Sequence, residues 1–154
     1  EKNMSHISEI SASQLKDVRN IAGAGAAGGL GGGLVSFLNA KLNPGIDLVL
    51  DASQFEQKIK NADLIITGEG KLDEQTAFGK TIAGIAGAAR KQYIPVIALA
   101  GSVEISTEMM DSIGLQAAFS ICNKPMNLEQ AMAYTLQLLE RTTENVLRLF
   151  IGKS

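Results

Sequence analysis

The chain has 154 residues, 45% hydrophobic and 19% charged, which is enough apolar matter for one core-bearing domain or part of a larger protein and too much for a disordered chain. A formal net charge of −2, with no lysine and arginine cluster interleaved with aromatics, argues against a phosphate-backbone reader, so no nucleic-acid partner is expected. One cysteine, Cys122, and one histidine, His6, exclude an internal disulfide and a histidine-built metal centre.

In chain order, the polar stretch from Glu1 to Ile10 lacks the charged-then-apolar pattern of a signal peptide, so a cytoplasmic location is expected. Ser11 and Gln14 have the spacing of a capping box before a short helix. After a glycine-rich segment and the Asn43-Pro44-Gly45 turn, Ile46–Leu50 reads as a strand, and Ser53 with Glu56 as the capping box of a short helix. Asp63–Thr67 reads as a buried strand that Gly68 and Gly70 bring to an end. A helix over Lys80–Gln92 and a strand over Ile94–Ala100, ended by Gly101, follow. Ser106 caps a helix that Gly114 stops, Ala117–Ile121 is a further short strand, and Asn127 with Gln130 opens one long helix carrying an apolar stripe.

Strands that are apolar on both faces, alternating with helices, predict an α/β fold: a doubly wound, three-layer, Rossmann-like parallel sheet. Residues 1–44 read as a helical, glycine-rich segment assignable to a second domain, and residues 45–154 as the α/β domain. No flexible linker or internal repeat divides the latter.

Seven of the 16 glycines fall between Ile21 and Gly33. Backbone amides there could cradle a phosphate or carboxylate at the start of a helix running to Leu38. Alternatively, small residues simply let a helix lie close to its neighbour. A membrane packing motif, Gly25-x-x-x-Gly29, is the weakest reading because glycine dilutes the hydropathy, so no membrane partner is expected. The segment is not a P-loop, since no Gly-Lys-Ser/Thr follows at the required spacing.

The chemistry-bearing segment is Thr67 to Lys80, placed by the strand before it over the carboxyl edge of a sheet, where ligands of open α/β folds collect. Glu69, Asp73 and Glu74 with Lys71 and Lys80 suit phosphoryl transfer, in which cations neutralise the moving group and a carboxylate accepts a hydroxyl proton. Such carboxylates also suit magnesium. The bland alternative is a solvated loop with weak local ion pairs. Gln75 and Thr76 could hydrogen-bond a sugar acid or cap the next helix.

Three separated blocks together carry a resemblance: Gly23-Ala-Gly-Ala-Ala-Gly-Gly29, Pro44-Gly-Ile-Asp-Leu48, and Thr67-Gly-Glu-Gly-Lys-x-Asp-x-Gln-Thr-x-x-Gly-Lys80. In this order they resemble the bacterial-type (type I) glycerate kinases, from about Ile21 to the C-terminal helix. The resemblance implies phosphorylation of D-glycerate by ATP with Mg2+, 2-phosphoglycerate being the favoured product, in a protein of two unequal domains. It implies catalytic roles for Glu69, Lys71, Asp73 and Lys80, with Asp73 or Glu69 as base or metal ligand, Asp73 as the metal residue, and the lysines as clamps. Gly23, Gly25, Gly28, Gly29, Thr67, Gly68, Gly70 and Gln75 become substrate- or phosphate-binding positions. Ala22 and Ile82 stand where the family commonly has proline.

Family members are longer, so the expectation is a C-terminal portion that lacks the N-terminal part of the same protein, is inactive alone, and can form a homodimer. A non-catalytic α/β module binding a small acid or nucleotide, and a kinase for another hydroxy acid, are the alternatives.

Overall fold

Five consecutive side chains, Val96 to Ala100, are buried, as befits a strand covered on both faces. A computed structural model of the chain describes residues 5, 6, 9, 10, 16–74 and 80–152. It falls into two units, Glu1–Pro44 and Gly45–Ser154. The helix start expected at Ser11–Gln14 lies outside the described residues.

In the first unit, α1 (Ala26–Leu38) is interrupted near its start by three left-handed residues, Ala27, Gly28 and Gly29. The chain before it folds back on the helix: the Gly32 amide donates to the Ala24 carbonyl at 2.8 Å. At Gly31 a Cβ would lie 2.7 Å from the Gly23 carbonyl oxygen. Close backbone approach is therefore one reason for the small residues. Val18 and Val35 are buried here.

The second unit opens with α2 (Gly45–Ala52) and α3 (Phe55–Lys58). Ile46–Leu50 is thus helical, not a strand. Five apolar-rich residues fit either state, and Ile46 with Val49 and Leu50 also has helical spacing. Ile46 packs on Gly84, where an added Cβ would meet its side chain at 2.5 Å. Ser53 caps nothing ahead of it: its hydroxyl donates to the Leu50 carbonyl at 3.0 Å, and Gln54 is the N-cap of α3.

Strands β1 (Ile65–Asp73), β2 (Val96–Glu104) and β3 (Ala117–Ser120) form a parallel sheet in that order. Between them run α4 (Lys80–Arg90) and α5 (Thr107–Ile113). Ile82, Ala86 and Ala89 of α4 share one buried cluster with Val96, Ala98 and Ala100, and Met110 and Ile113 of α5 pack against it. Right-handed crossovers stepping one way across a sheet put both helices on one face. The other face is closed by α7 (Thr135–Ile151), whose Leu138 and Val146 join Ile97 and Leu99. Three layers result.

The caps on α5 match the sequence reading: the Met109 amide donates to Ser106 Oγ at 3.2 Å, and left-handed Gly114 closes the helix. Asn127 and Gln130 form the capping box, but of a separate six-residue helix, α6 (Leu128–Ala133). The expected single long helix breaks at Tyr134, after which the Thr135 hydroxyl donates to the Ala131 carbonyl at 2.8 Å.

Candidate active site

The glycines expected to end the first two strands do not end them. β1 runs through Gly68 and Gly70 to Asp73, and β2 through Gly101 to Glu104, with paired register from Ile65–Val96 to Asp73–Glu104. β3 pairs only as far as Ala100. The outer halves of β1 and β2 therefore continue past β3 as a two-stranded ribbon on the carboxyl edge of the sheet, the edge where open α/β folds collect ligands. Ser120 seals the step: its hydroxyl donates to the Gly101 carbonyl at 3.1 Å and accepts from the Cys122 amide at 3.1 Å.

Gly70 and Gly101 also change which way the strands face. Ile65, Val96, Ala98 and Ala100 belong to the α4-side cluster, and so do Leu72 and Val103 further along. Strict alternation would put those last two on the opposite face, so both strands turn over by one residue at the glycine pair. A Cβ on Gly101 would stand 2.6 Å from the Gly70 carbonyl oxygen, so the approach requires glycine there.

The turnover sorts the expected site residues. Lys71 and Asp73 fall on the face away from the α4-side cluster and meet Glu104: Lys71 Nζ lies 2.8 Å from Glu104 Oε2 and 3.5 Å from Asp73 Oδ2. Glu104 above all, and then Asp73, raise the Lys71 pKa above its ordinary value, so the ammonium is held charged. Asp73 is half-buried and Glu69 exposed. Glu69 precedes the turnover, opposite the core residue Ala100, and by alternation takes the α4 face.

Thr67 pairs with Ala98 and Gly68 with Leu99, so both are strand residues. Lys80 is the first residue of α4, and Gln75 lies outside the described residues. The expected site thus straddles the ribbon, with Lys71 and Asp73 on one side and Glu69 on the other. Gly23, Gly25, Gly28 and Gly29 belong to the first unit, where the Gly29 amide is used by the Gly25 carbonyl at 3.2 Å.

Glu104 was not among the residues singled out from the sequence. A signal exists: Gly70-Lys-Leu-Asp73 and Gly101-Ser-Val-Glu104 share a glycine–polar–apolar–acid order at equal strand positions. Among the described residues no three acidic, histidine or cysteine side chains cluster as a ready-made metal site. No helix among them is long and apolar enough to cross a membrane.

A parallel α/β sheet with charged side chains gathered at its carboxyl edge defines a class of small-molecule-handling proteins. The sequence profile of the Glycerate kinase family matches residues 1–151. The chain is 48% identical over 142 residues to a glycerate kinase of Halalkalibacterium halodurans, covering 92% of this chain and 37% of that protein. To a glycerate 2-kinase of Escherichia coli it is 37% identical, covering 95% of this chain and 39% of the relative. A crystal structure assigned to glycerate kinase 2 of Salmonella typhimurium LT2 superposes with a TM-score of 0.69 at 37% identity, over 95% of this chain and 37% of that one. The chain belongs to the glycerate kinase family, and it spans under two fifths of the length of these relatives.

Proposed function

We propose that this chain supplies one wall of the active site of a kinase that transfers a phosphoryl group from ATP to a hydroxyl of D-glycerate, giving 2-phosphoglycerate. The observation that carries this reading is the family match across residues 1–151. The position of Lys71, Asp73 and Glu104 on the sheet's carboxyl edge supports it.

Magnesium fits the donor chemistry. It takes one or two protein carboxylates when phosphate oxygens and water fill its other positions, and Asp73 and Glu104 offer two around one ammonium. Bound Mg2+ and ATP would supply the phosphoryl group and neutralise its charge. Asp73 would hold the metal, and Lys71, kept charged by Glu104, would hold a phosphate or carboxylate oxygen. Glu69, exposed on the other side of the ribbon, would not reach the same reacting centre, so the proton of the attacking hydroxyl would go to a carboxylate on the Lys71 side. Lys80 would clamp a second anionic group, and Thr67 and Gln75 would hydrogen-bond the acid. Gly68 and Gly70, which carry no side chains, would let phosphate oxygens approach the backbone closely.

The same reading holds that these 154 residues do not turn over substrate alone and need a partner segment of the kind that fills the rest of the relatives' length. The test is a chimera in which this chain replaces the matching 142 residues of the H. halodurans relative. ADP release dependent on D-glycerate, with the product identified by phosphorus NMR, is the expected result. A folded chimera without that activity, or turnover by the isolated chain, overturns the respective part.

A further inference from the structure

The serines of this chain put their hydroxyls to work in the fold, with one exception. Ser36, Ser53, Ser112 and Ser120 each donate to a carbonyl, of Lys16, Leu50, Met109 and Gly101 in turn, and Ser106 accepts from the Met109 amide. Ser102 is half-buried, yet its hydroxyl makes no hydrogen bond among the described residues. No fully buried polar side-chain atom among those residues lacks a partner, so the Ser102 oxygen is one that a group from outside can reach.

Its place on the ribbon gives that oxygen its neighbours. Ser102 is in register with Lys71. Val103 packs in the α4-side cluster, so alternation turns Ser102, with Glu104, to the opposite face, where Lys71 and Asp73 also lie. β3 pairs no further than Ala100, and no strand covers that side of Ser102. Beside the longer Lys71 and Glu104 side chains, Ser102 is the short one, and a small molecule held at the Lys71 ammonium has room to lie over it.

The chemistry of the four side chains then divides a substrate between them. On the kinase reading above, on which this inference rests, Lys71 holds an anionic oxygen, and the carboxylates serve the metal and the proton of the attacking hydroxyl. What is left for an uncharged hydroxyl, able both to donate and to accept, is an uncharged group of the same kind. A site that hydrogen-bonds a substrate hydroxyl selects against the analogue that lacks it.

We propose that Ser102 is a specificity-determining residue, whose hydroxyl holds the C3 hydroxyl of D-glycerate, the one that is not phosphorylated, and so selects a dihydroxy acid over a monohydroxy acid.

Ser102→Ala in the chimera with the H. halodurans relative tests it, with D-lactate, which is D-glycerate without the C3 hydroxyl, as a competing inhibitor. The expected result is a fall in kcat/KM for D-glycerate of roughly 3- to 10-fold, the worth of one neutral hydrogen bond, with the inhibition constant of D-lactate unchanged. The urea midpoint stays where it was, because the hydroxyl has no protein partner to lose. An unchanged kcat/KM for D-glycerate overturns the inference, and so does an equal weakening of D-glycerate and D-lactate, which would mean that Ser102 acts on the site as a whole. Failure of the kinase reading shows separately and earlier: the unsubstituted chimera then releases no ADP with D-glycerate, and the inference falls with it.

Discussion

The inner and outer halves of β1 and β2 are one continuous pair of strands with two different jobs. From Ile65 to Glu69 and from Val96 to Ala100 the pair is flanked by β3, and β2 is buried on both faces. From Gly70 to Asp73 and from Gly101 to Glu104 it continues past β3 and carries Lys71, Asp73 and Glu104, with only Leu72 fully buried. The divider is a pair of glycines in register. The ladder lapses at this one pair and resumes at Lys71 and Ser102, so pairing on both sides joins the charged half to the packed half while the turnover re-aims the side chains. A strand can thus be packed at one end and gather charged side chains at the other, without a loop between them.

Substitutions break that contrast to graded extents. Leu99→Ala in the inner half removes a side chain that is 2% exposed and costs about 2–5 kcal/mol, read as a lowered urea midpoint with unchanged slope. Gly101→Ala at the divider pushes a methyl group to 2.6 Å from the Gly70 carbonyl oxygen. It costs about 1–3 kcal/mol, and in the chimera it also lowers turnover, because Lys71 and Glu104 shift with the strands. In the outer half, Lys71→Ala and Asp73→Asn leave the urea midpoint of the chain unmoved within error. In the chimera each lowers kcat by roughly 10²-fold or more, as expected for groups that stabilise developing charge. Unchanged turnover in both would remove them from the site.

The smallest effects are in pH. The Lys71 pKa is raised by Glu104 and Asp73, so their attraction is fully present below the ordinary lysine value and is lost only as pH rises through the raised one. A nitrogen-detected NMR titration of Lys71 should end later than that of a lysine without such neighbours, and Glu104→Gln should bring it back. In the first unit the sign is opposite. Hydrogen bonds from Arg19 lower the Asp17 pKa to about 2. That contribution is present above the usual carboxylate range and is lost as pH falls through about 2, with the Asp17 carboxyl carbon shift as readout.

Much of the fold could be read from residues whose local chemistry and tertiary role agree. Ser106 and Gly114 bound α5, Asn127 and Gln130 cap α6, and the apolar run after Pro95 is the central strand. The sequence reading failed where tertiary context overrules local preference. Gly68, Gly70 and Gly101 are strand breakers in isolation, but here two of them are opposed across a parallel pair, and absent side chains allow the approach instead of ending it. The same error hid part of the charged cluster: with the strands thought to stop early, Glu104 appeared to belong to a different segment from Lys71, whereas register puts it opposite Asp73. Lys71 and Asp73 were singled out because charge beside glycine at a strand end is a strong local signal. Their separation from Glu69 was not legible, because facing depends on a turnover that only the paired strand reveals.

The step at which β3 stops short has an evolutionary consequence. β3 pairs no further than Ala100, so no strand beside them constrains positions 71, 73, 102 and 104, and of these Ser102 alone lies outside the Lys71–Asp73–Glu104 cluster. On the proposed function, Ser102, opposite Lys71, is the place where related chains would change acid preference while the packed half keeps the domain folded.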